Sequence, residues 1–284
     1  MQISNIQRTS KGLSTKVFPH GLSPVTGPNV LALSRNRATV LAELRRLMPG
    51  IEGRRTPLPL GLAAIDSHLP DGGLARGALH EVVPAAECSI AAAFGFIAAL
   101  LGRLSRAYPL CFVMPAYGLR PYRSHGRLHG HGINALGLDP GRLILVETAQ
   151  RKETLWAMEE AVRSAAPAAV VGAIDTLDLK TSQRLHLTAT EAGVPLLLIR
   201  PAPTLDASAA ATRWRIGTAK AARDRFGLVT QPRWHLQLER CRNGRPGEWV
   251  VEYDHVAHRF SLAAALADFS RARGAGETSI RQAS

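Results

Sequence analysis

The stretch Leu60–Phe96, LGLAAIDSHLPDGGLARGALHEVVPAAECSIAAAFGF, sets a Gly-rich turn (Gly72, Gly73, Gly77) ahead of the apolar run Leu79–Val83. A short loop and a long Ala-rich helical pattern follow. Strand, loop and helix in that order can bind phosphate. Backbone N–H groups at the helix start cradle the anion, a Lys reaches the terminal phosphates, and a Ser or Thr hydroxyl holds magnesium. Yet no Lys occurs between Lys16 and Lys152. Without a cation at the developing phosphoryl charge, hydrolysis loses orders of magnitude in rate.

Other reactive residues form weaker patterns. His125, His129 and His131 lie in SHGRLHGHG, flanked by Arg120, Arg123 and Arg127. Their spacing could suit zinc, but no carboxylate or Cys ligand is near, so no metal site is expected. A basic surface loop touching phosphate, with Arg120 and Arg123 as contacts, is one alternative, and a neutral loop is the other. No G-x-S-x-G elbow is present, so a Ser-His-Asp triad has no support. Cys88, Cys111 and Cys241 are too few for a disulfide framework and are expected to be small buried hydrophobes in a reducing compartment.

The charge points to anionic partners. The 284 residues hold 35 Lys and Arg against 22 Asp and Glu, for a net charge of +13. Only Lys11, Lys16, Lys152, Lys180 and Lys220 are lysines. Arginine's planar fork suits phosphate, although base composition of the genome could also favour it. Arg213, Arg215, Arg223, Arg225, Arg233, Arg240, Arg242 and Arg245 crowd one stretch, interleaved with Trp214, Phe226 and Trp234. Nucleic acid or an acidic protein surface fits that stretch. The run Arg213-Trp214-Arg215 could stack on a base and neutralise two phosphates. Strand alternation instead puts Trp214 in the core, leaving Arg213 and Arg215 outward as phosphate contacts.

The elements that would position these residues follow from hydrophobic period. Residues 1–34 are rich in Ser, Thr, Pro and Gly and predict a disordered arm. Residues 35–52 predict an amphipathic helix whose stripe includes Leu44 and Leu47, either packed on the core or docking a partner. Apolar strands at Leu79–Val83, Leu110–Met114, Leu143–Val146, Ala169–Ile174 and Leu196–Ile199 alternate with helices at Cys88–Arg106, Lys152–Ala166 and Ser182–Ala192. That alternation predicts an α/β fold with a mainly parallel sheet covered on both faces. Trp156, just off its helix's stripe, is expected at the edge of the core.

After Pro203 the pattern changes. Trp234–Leu238, Glu248–Tyr253 and Arg259–Leu262 alternate apolar and polar residues around turns at Asn243-Gly244 and Pro246-Gly247, which predicts half-exposed antiparallel strands. Trp249 and Tyr253 share one face, either half buried or docking a partner. The division expected is a core over 53–217, an antiparallel extension over 218–269 and a flexible tail over 270–284. No window approaches about 18 consecutive apolar residues, so no membrane span is expected. The first residues lack the apolar stretch of a secretory signal.

Five segments taken together resemble one family. They are LPLGLAAIDSHLPDGGLARGALHEV (58–82), LGLDPGRLILVETAQRKETLWAMEEAVRS (136–164), AAVVGAIDTLDLKTSQRLHLTATEAGVPLLLIRP (168–201), TRWRI (212–216) and PRWHLQLERCRNGRPGEWVVEYDHVAHRFSL (232–262). The first resembles RecA-like ATPases in general. The set in this order resembles the inducible-mutagenesis protein A family, RecA-like accessory proteins of bacterial error-prone repair, over most of 58–262.

The resemblance implies a RecA-like core with antiparallel C-terminal strands. It places the nucleotide loop at Pro84–Ala91, with the lysine position on Ile90, the hydroxyl position on Ala91 and the preceding glycine on Ser89. The magnesium-orienting acid would be Asp175, while the in-strand Glu of related sequences falls on Ala173. Asp175 reads better as a turn or cap residue. The segment 201–215 would correspond to a mobile loop that contacts single-stranded DNA in recombinases. No cofactor is expected beyond a vestigial ATP and magnesium site. The implied function is a non-catalytic adaptor of SOS-induced translesion DNA synthesis in the cytoplasm, at the nucleoid. Implied partners are an inactive Y-family-like polymerase homologue and an error-prone polymerase of the replicative type, with RecA and single-stranded DNA as further contacts. The rivals are a DNA-dependent ATPase with an atypical phosphate loop and a sequence-tolerant DNA-binding protein.

Overall fold

The structure is a computed structural model that describes residues 29–32, 56–103, 110–115, 128–202, 206–223 and 225–263; side chains within 29–32 and 110–115 are not described. The segment 35–52, Arg120, Arg123 and the tail 270–284 lie outside the described residues.

The strands are β1 (Asn29–Ala32), β2 (Leu79–Pro84), β3 (Leu110–Pro115), β4 (Leu143–Thr148), β5 (Val170–Ala173), β6 (Leu196–Ile199), β7 (Thr212–Thr218), β8 (Ala222–Arg223), β9 (Val229–Gln231), β10 (Arg233–Cys241), β11 (Gly247–Asp254) and β12 (Arg259–Leu262). The helices are α1 (Ala63–Asp66), α2 (Ile90–Arg103), α3 (Gly130–Ala135), α4 (Arg151–Arg163) and α5 (Leu179–Ala192). Ten strands make one sheet in the order β1-β4-β3-β5-β6-β2-β7-β10-β11-β12, and β8 and β9 form a separate ribbon.

From β1 through β7 every pairing is parallel, and from β7 through β12 every pairing is antiparallel. The expected α/β architecture, with a parallel core and antiparallel C-terminal strands, is therefore present. β7 joins the two parts, and one boundary differs. β7 pairs parallel with β2 and antiparallel with β10, so the C-terminal strands continue the core sheet directly. Asn29–Ala32, read as part of a disordered arm, instead pairs with Ile144–Glu147. Main-chain bonding to an exposed sheet edge does not require an apolar period, so the sequence carries little sign of it.

Both faces of the parallel core are covered because β2, β5 and β6 are buried throughout. On one face α2 presents Ile90, Ala93, Phe96, Ile97, Leu100 and Leu101 to Val82, Trp214, Ile216 and Leu236. Alanines and glycines on α2 permit close approach. A Cβ on Gly95 would meet the Trp234 ring at 3.3 Å, and one on Gly102 would meet the Gly137 carbonyl at 2.8 Å. Phe96, Trp214, Trp234, Tyr253 and Phe260 form an aromatic cluster there, with ring centroids 5.3–6.4 Å apart. Trp214 is thus a core residue, as its strand alternation predicts. On the opposite face α4 and α5 bring Met158, Val162, Leu185 and Ala189 against Leu79, Ile144, Val170 and Leu198, with Trp156 partly buried at the edge.

Local capping sets the helix starts. Gln150 and Glu153 form a capping box that begins α4 at Arg151. Asp178 accepts from the Thr181 N–H at 2.8 Å, so α5 begins at Leu179, three residues before the apolar period alone suggests. The Thr181 bonds hold the Asp178 carboxyl below the usual aspartate value.

A buried polar chain ties β2 to β7. His80 Nε2 bonds the Ala75 carbonyl at 2.8 Å, so that nitrogen carries the proton. His80 Nδ1 then accepts from Thr212 Oγ1 at 2.8 Å, and Thr212 Oγ1 accepts from Trp214 Nε1 at 3.1 Å. Burial pushes His80 down from its ordinary value to about 4, with the Ala75 carbonyl pulling the other way. The unfolded chain therefore takes up a proton first. Stability from neutral His80 is complete above about pH 6.5 and drains away as pH falls towards 4, by about 3 kcal/mol. Urea unfolding across that window should show the decline, and His80→Gln should flatten it.

Candidate functional site

The carboxyl ends of parallel strands are where an open α/β sheet holds a ligand, and the loop after β2 lies there. Five residues, Ala85–Ser89, join β2 to α2, and Glu87–Ser89 wind into a 3-10 turn that runs straight into the helix. Three backbone donors of this turn are engaged within the protein. Ala85 N–H bonds the Ile216 carbonyl at 2.7 Å, Ser89 N–H bonds the Ala86 carbonyl at 2.9 Å, and Ile90 N–H bonds the Glu87 carbonyl. Ile90 is buried against the core and Ala91 has no hydroxyl. Exposed Glu87 adds a carboxylate where an anion would sit. Cys88 is exposed in the same turn, contrary to the buried position expected of it. The turn needs its side chain on the solvent side while Ser89 and Ile90 face in. Pro84 and Ala173 are buried strand residues. Asp175 Oδ1 accepts the Thr176 N–H at 2.6 Å and serves a turn.

On the α5 face of the sheet, the same strands carry a buried charge cluster that no motif signals. Glu81, at 0% exposure in the middle of β2, accepts from Arg213 Nε at 2.7 Å and lies 3.4 Å from Arg200 Nη1. Arg200 Nη2 donates to Asp206 at 2.9 Å, while its Nε has no partner among the described residues. Glu81 interrupts the apolar run LHEVV, and Arg200 ends the run LLLIR. Opposite charges on neighbouring apolar strands were the available clue.

Arginines then fasten the segment that leads from β6 to β7. Arg213 Nη2 donates to the Asp206 carbonyl at 2.7 Å. Arg240 Nη2 donates to the Ser208 and Ala210 carbonyls at 2.7 and 2.6 Å. Burial, with Arg213 nearby, lowers the Arg240 value. Ala209 N–H bonds Ser182 Oγ, and Ala211 N–H bonds the Leu79 carbonyl. Residues 206–211 are tied at nearly every position and do not form the loose DNA-contacting loop expected there.

Several expected contacts are thereby corrected. Arg213 is committed to Glu81 and the Asp206 carbonyl, and Arg215 donates from Nε to Glu239 at 2.5 Å. Alternation placed them off the aromatic face correctly, but carboxylates meet them across the sheet. Tyr253 is fully buried and its hydroxyl donates to the Leu136 carbonyl at 2.7 Å; burial pushes it up to about 12. Trp249 packs edge-on against His68 at 4.9 Å. Tyr253 turns inward beside Trp234, while Trp249 is partly buried against Trp214 and His68. His129 caps α3 by accepting from Gly132 N–H at 3.3 Å. Among the described residues no group of three or more His, Cys, Asp or Glu could hold a metal. Leu44, Leu47, Arg120 and Arg123 lie outside the described residues.

Dropping the edge strand, the parallel core runs third-second-fourth-fifth-first-sixth in chain order, with a phosphate-loop position after its first strand. This is a RecA-like α/β protein. A KaiC-like protein from the archaeon Pyrococcus horikoshii OT3 superposes with a TM-score of 0.44 and 14% identity, covering 73% of this chain and 99% of that one. Strand order, not that likeness, defines the fold. No family model matches the chain. Protein ImuA of Caulobacter vibrioides, from strains NA1000 / CB15N and ATCC 19089 / CIP 103742 / CB 15, is 33% identical over 236 residues, covering 76% of this chain and 93% of the relative. The chain belongs to the ImuA family.

Breaking the charge cluster should be costly. Glu81→Gln leaves the largely buried Arg213 without a counter-charge and Arg200 with Asp206 alone, and unfolding by urea should report a loss of about 3–5 kcal/mol. Hydrogen exchange at Ser208–Ala211 should speed up in the same variant, as Arg213 loses the partner that orients it.

Proposed function

We propose that this chain is a non-catalytic RecA-like adaptor of SOS-induced, error-prone translesion DNA synthesis. It joins an inactive Y-family-like polymerase homologue to an error-prone DNA polymerase of the replicative type, with RecA and single-stranded DNA as further contacts. Family membership supports the setting in DNA-damage mutagenesis. The observation that carries the non-catalytic reading is the loop after β2. Its Ala85, Ser89 and Ile90 N–H groups are engaged within the protein, its lysine position is a core isoleucine, and its hydroxyl position is an alanine.

The sheet acts as a rigid platform for surfaces rather than as a reaction centre. The segment 35–52, with Leu44 and Leu47, supplies one partner-docking element. Neither ATP nor magnesium is needed for this work. An adaptor of lesion bypass operates in the cytoplasm at the nucleoid. Among the described residues no helix is long and apolar enough to cross a membrane.

Steady-state ATP turnover, with and without single-stranded DNA, should stay at background. The double substitution Ile90→Lys with Ala91→Thr should not raise it, because Ala85–Ser89 hold no glycine and the Ala85 and Ser89 N–H groups are occupied. DNA-stimulated hydrolysis that disappears in Asp175→Ala would establish the ATPase reading instead. A pull-down from DNA-damaged cells should recover both polymerase components.

A further inference from the structure

The arginine crowd between Arg213 and Arg245 divides in two once its side chains are placed. Arg213, Arg215 and Arg233 pair with Glu81, Glu239 and Glu252. Arg240, Arg242 and Arg245 donate to main-chain carbonyls of Ser208, Ala210, Ala209 and Ser67. These six hold the fold together. The other two, Arg223 and Arg225, sit on the β8–β9 ribbon with Lys220 just before it, and among the described residues none of the three has a carboxylate partner.

The ribbon leaves the sheet between β7 and β10. It springs from the carboxyl end of β7, next to the loop after β2, where Ala85 N–H bonds the Ile216 carbonyl. Arg223 Nη1 closes the turn on the Gly227 carbonyl at 2.5 Å, and Gly227 takes φ +80°. The turn presents Phe226 at 72% exposure, with Leu228 at 64% and Val229 at 56%. Arg225 lies over the Phe226 ring, 4.7 Å from its centroid. In the sequence 218–232 the single acid is Asp224, so the ribbon is net positive.

We propose that this ribbon binds single-stranded nucleic acid. The Phe226 ring stacks beneath a base, Leu228 and Val229 extend the apolar platform, and Lys220 and Arg225 neutralise flanking phosphates. An exposed aromatic face beside a cluster of cations is the combination that sequence-tolerant single-strand binding uses. An acidic protein is the poorer fit. Stable protein interfaces take roughly 20–30 residues a side, whereas this tip offers three apolar side chains. Strands of two and three residues also offer little edge for an added strand. The proposal draws on the adaptor reading only in choosing DNA as the probe.

The test measures fluorescence anisotropy of a short fluorescein-labelled oligothymidylate with the full chain across a salt series. Phe226→Ala should weaken binding about tenfold with the salt slope kept. Lys220→Ala with Arg225→Ala should reduce the slope of log K against log salt by about 1.4. All these side chains are exposed, so thermal unfolding of the variants should match the parent. A parent chain that does not bind oligothymidylate overturns the proposal. Variants that lose polyglutamate binding while keeping oligothymidylate binding also overturn it, in favour of an acidic peptide. A chain that captures polymerase components yet binds oligothymidylate undiminished after Phe226→Ala overturns the ribbon site and leaves the adaptor reading standing.

Discussion

Glu81 lies in the middle of β2 with no access to water, and two guanidinium groups converge on it from the flanking strands. Burying a carboxylate costs several kcal/mol unless its partners are well placed. Arg200 comes from the end of β6 and Arg213 from the start of β7, so three adjacent strands must stand in one register for the cluster to exist. A slip of one residue would turn Glu81 into the α2 face, among Phe96 and Trp214. The cluster therefore selects the arrangement of the sheet as much as it stabilises it. It also recruits Asp206, and through Arg240 the carbonyls beyond it, so the segment leading into β7 becomes part of the scaffold.

That scaffold has a consequence for the carboxyl edge of the sheet. In a nucleotide hydrolase the loop after the first strand and the segment after the fifth are the parts that contact ligand and move. Here the first is a 3-10 turn in which the Ala85 and Ser89 N–H groups are engaged, and residues 206–211 of the second are fastened by arginines. The tip of the β8–β9 ribbon is exposed beside that edge.

Alternation within the antiparallel strands divides their two faces. Trp214, Trp234, Leu236, Val251 and Tyr253 point at α2 and complete its core. Their neighbours Arg215, Arg233, Glu239 and Glu252 point away and pair across the strands. No helix lies over this second face of β10 and β11 among the described residues. Ion pairs at such partly exposed positions contribute little stability each, but they remove most arginines of the stretch from service as anion contacts.

Much of this was legible in the chain itself. Continuous apolar runs at Ala169–Ile174 and Leu196–Ile199 demanded a parallel sheet buried on both sides, and the alternation around Trp214 and Trp234 demanded half-covered antiparallel strands. The absence of lysine near Ile90 was likewise a property of the sequence, since no fold can supply a missing side chain. Tertiary structure decided what depends on partners distant in sequence. Arg213 meets Glu81 across more than a hundred residues, and Arg215 meets Glu239 across a strand pair, so spacing along the chain could not separate them from Arg225. Trp249 and Tyr253 share a face along the chain, yet packing buries Tyr253 beside Trp234 and leaves Trp249 partly exposed beside His68. Local periodicity states which residues share a face; only the packed sheet states what lies against that face.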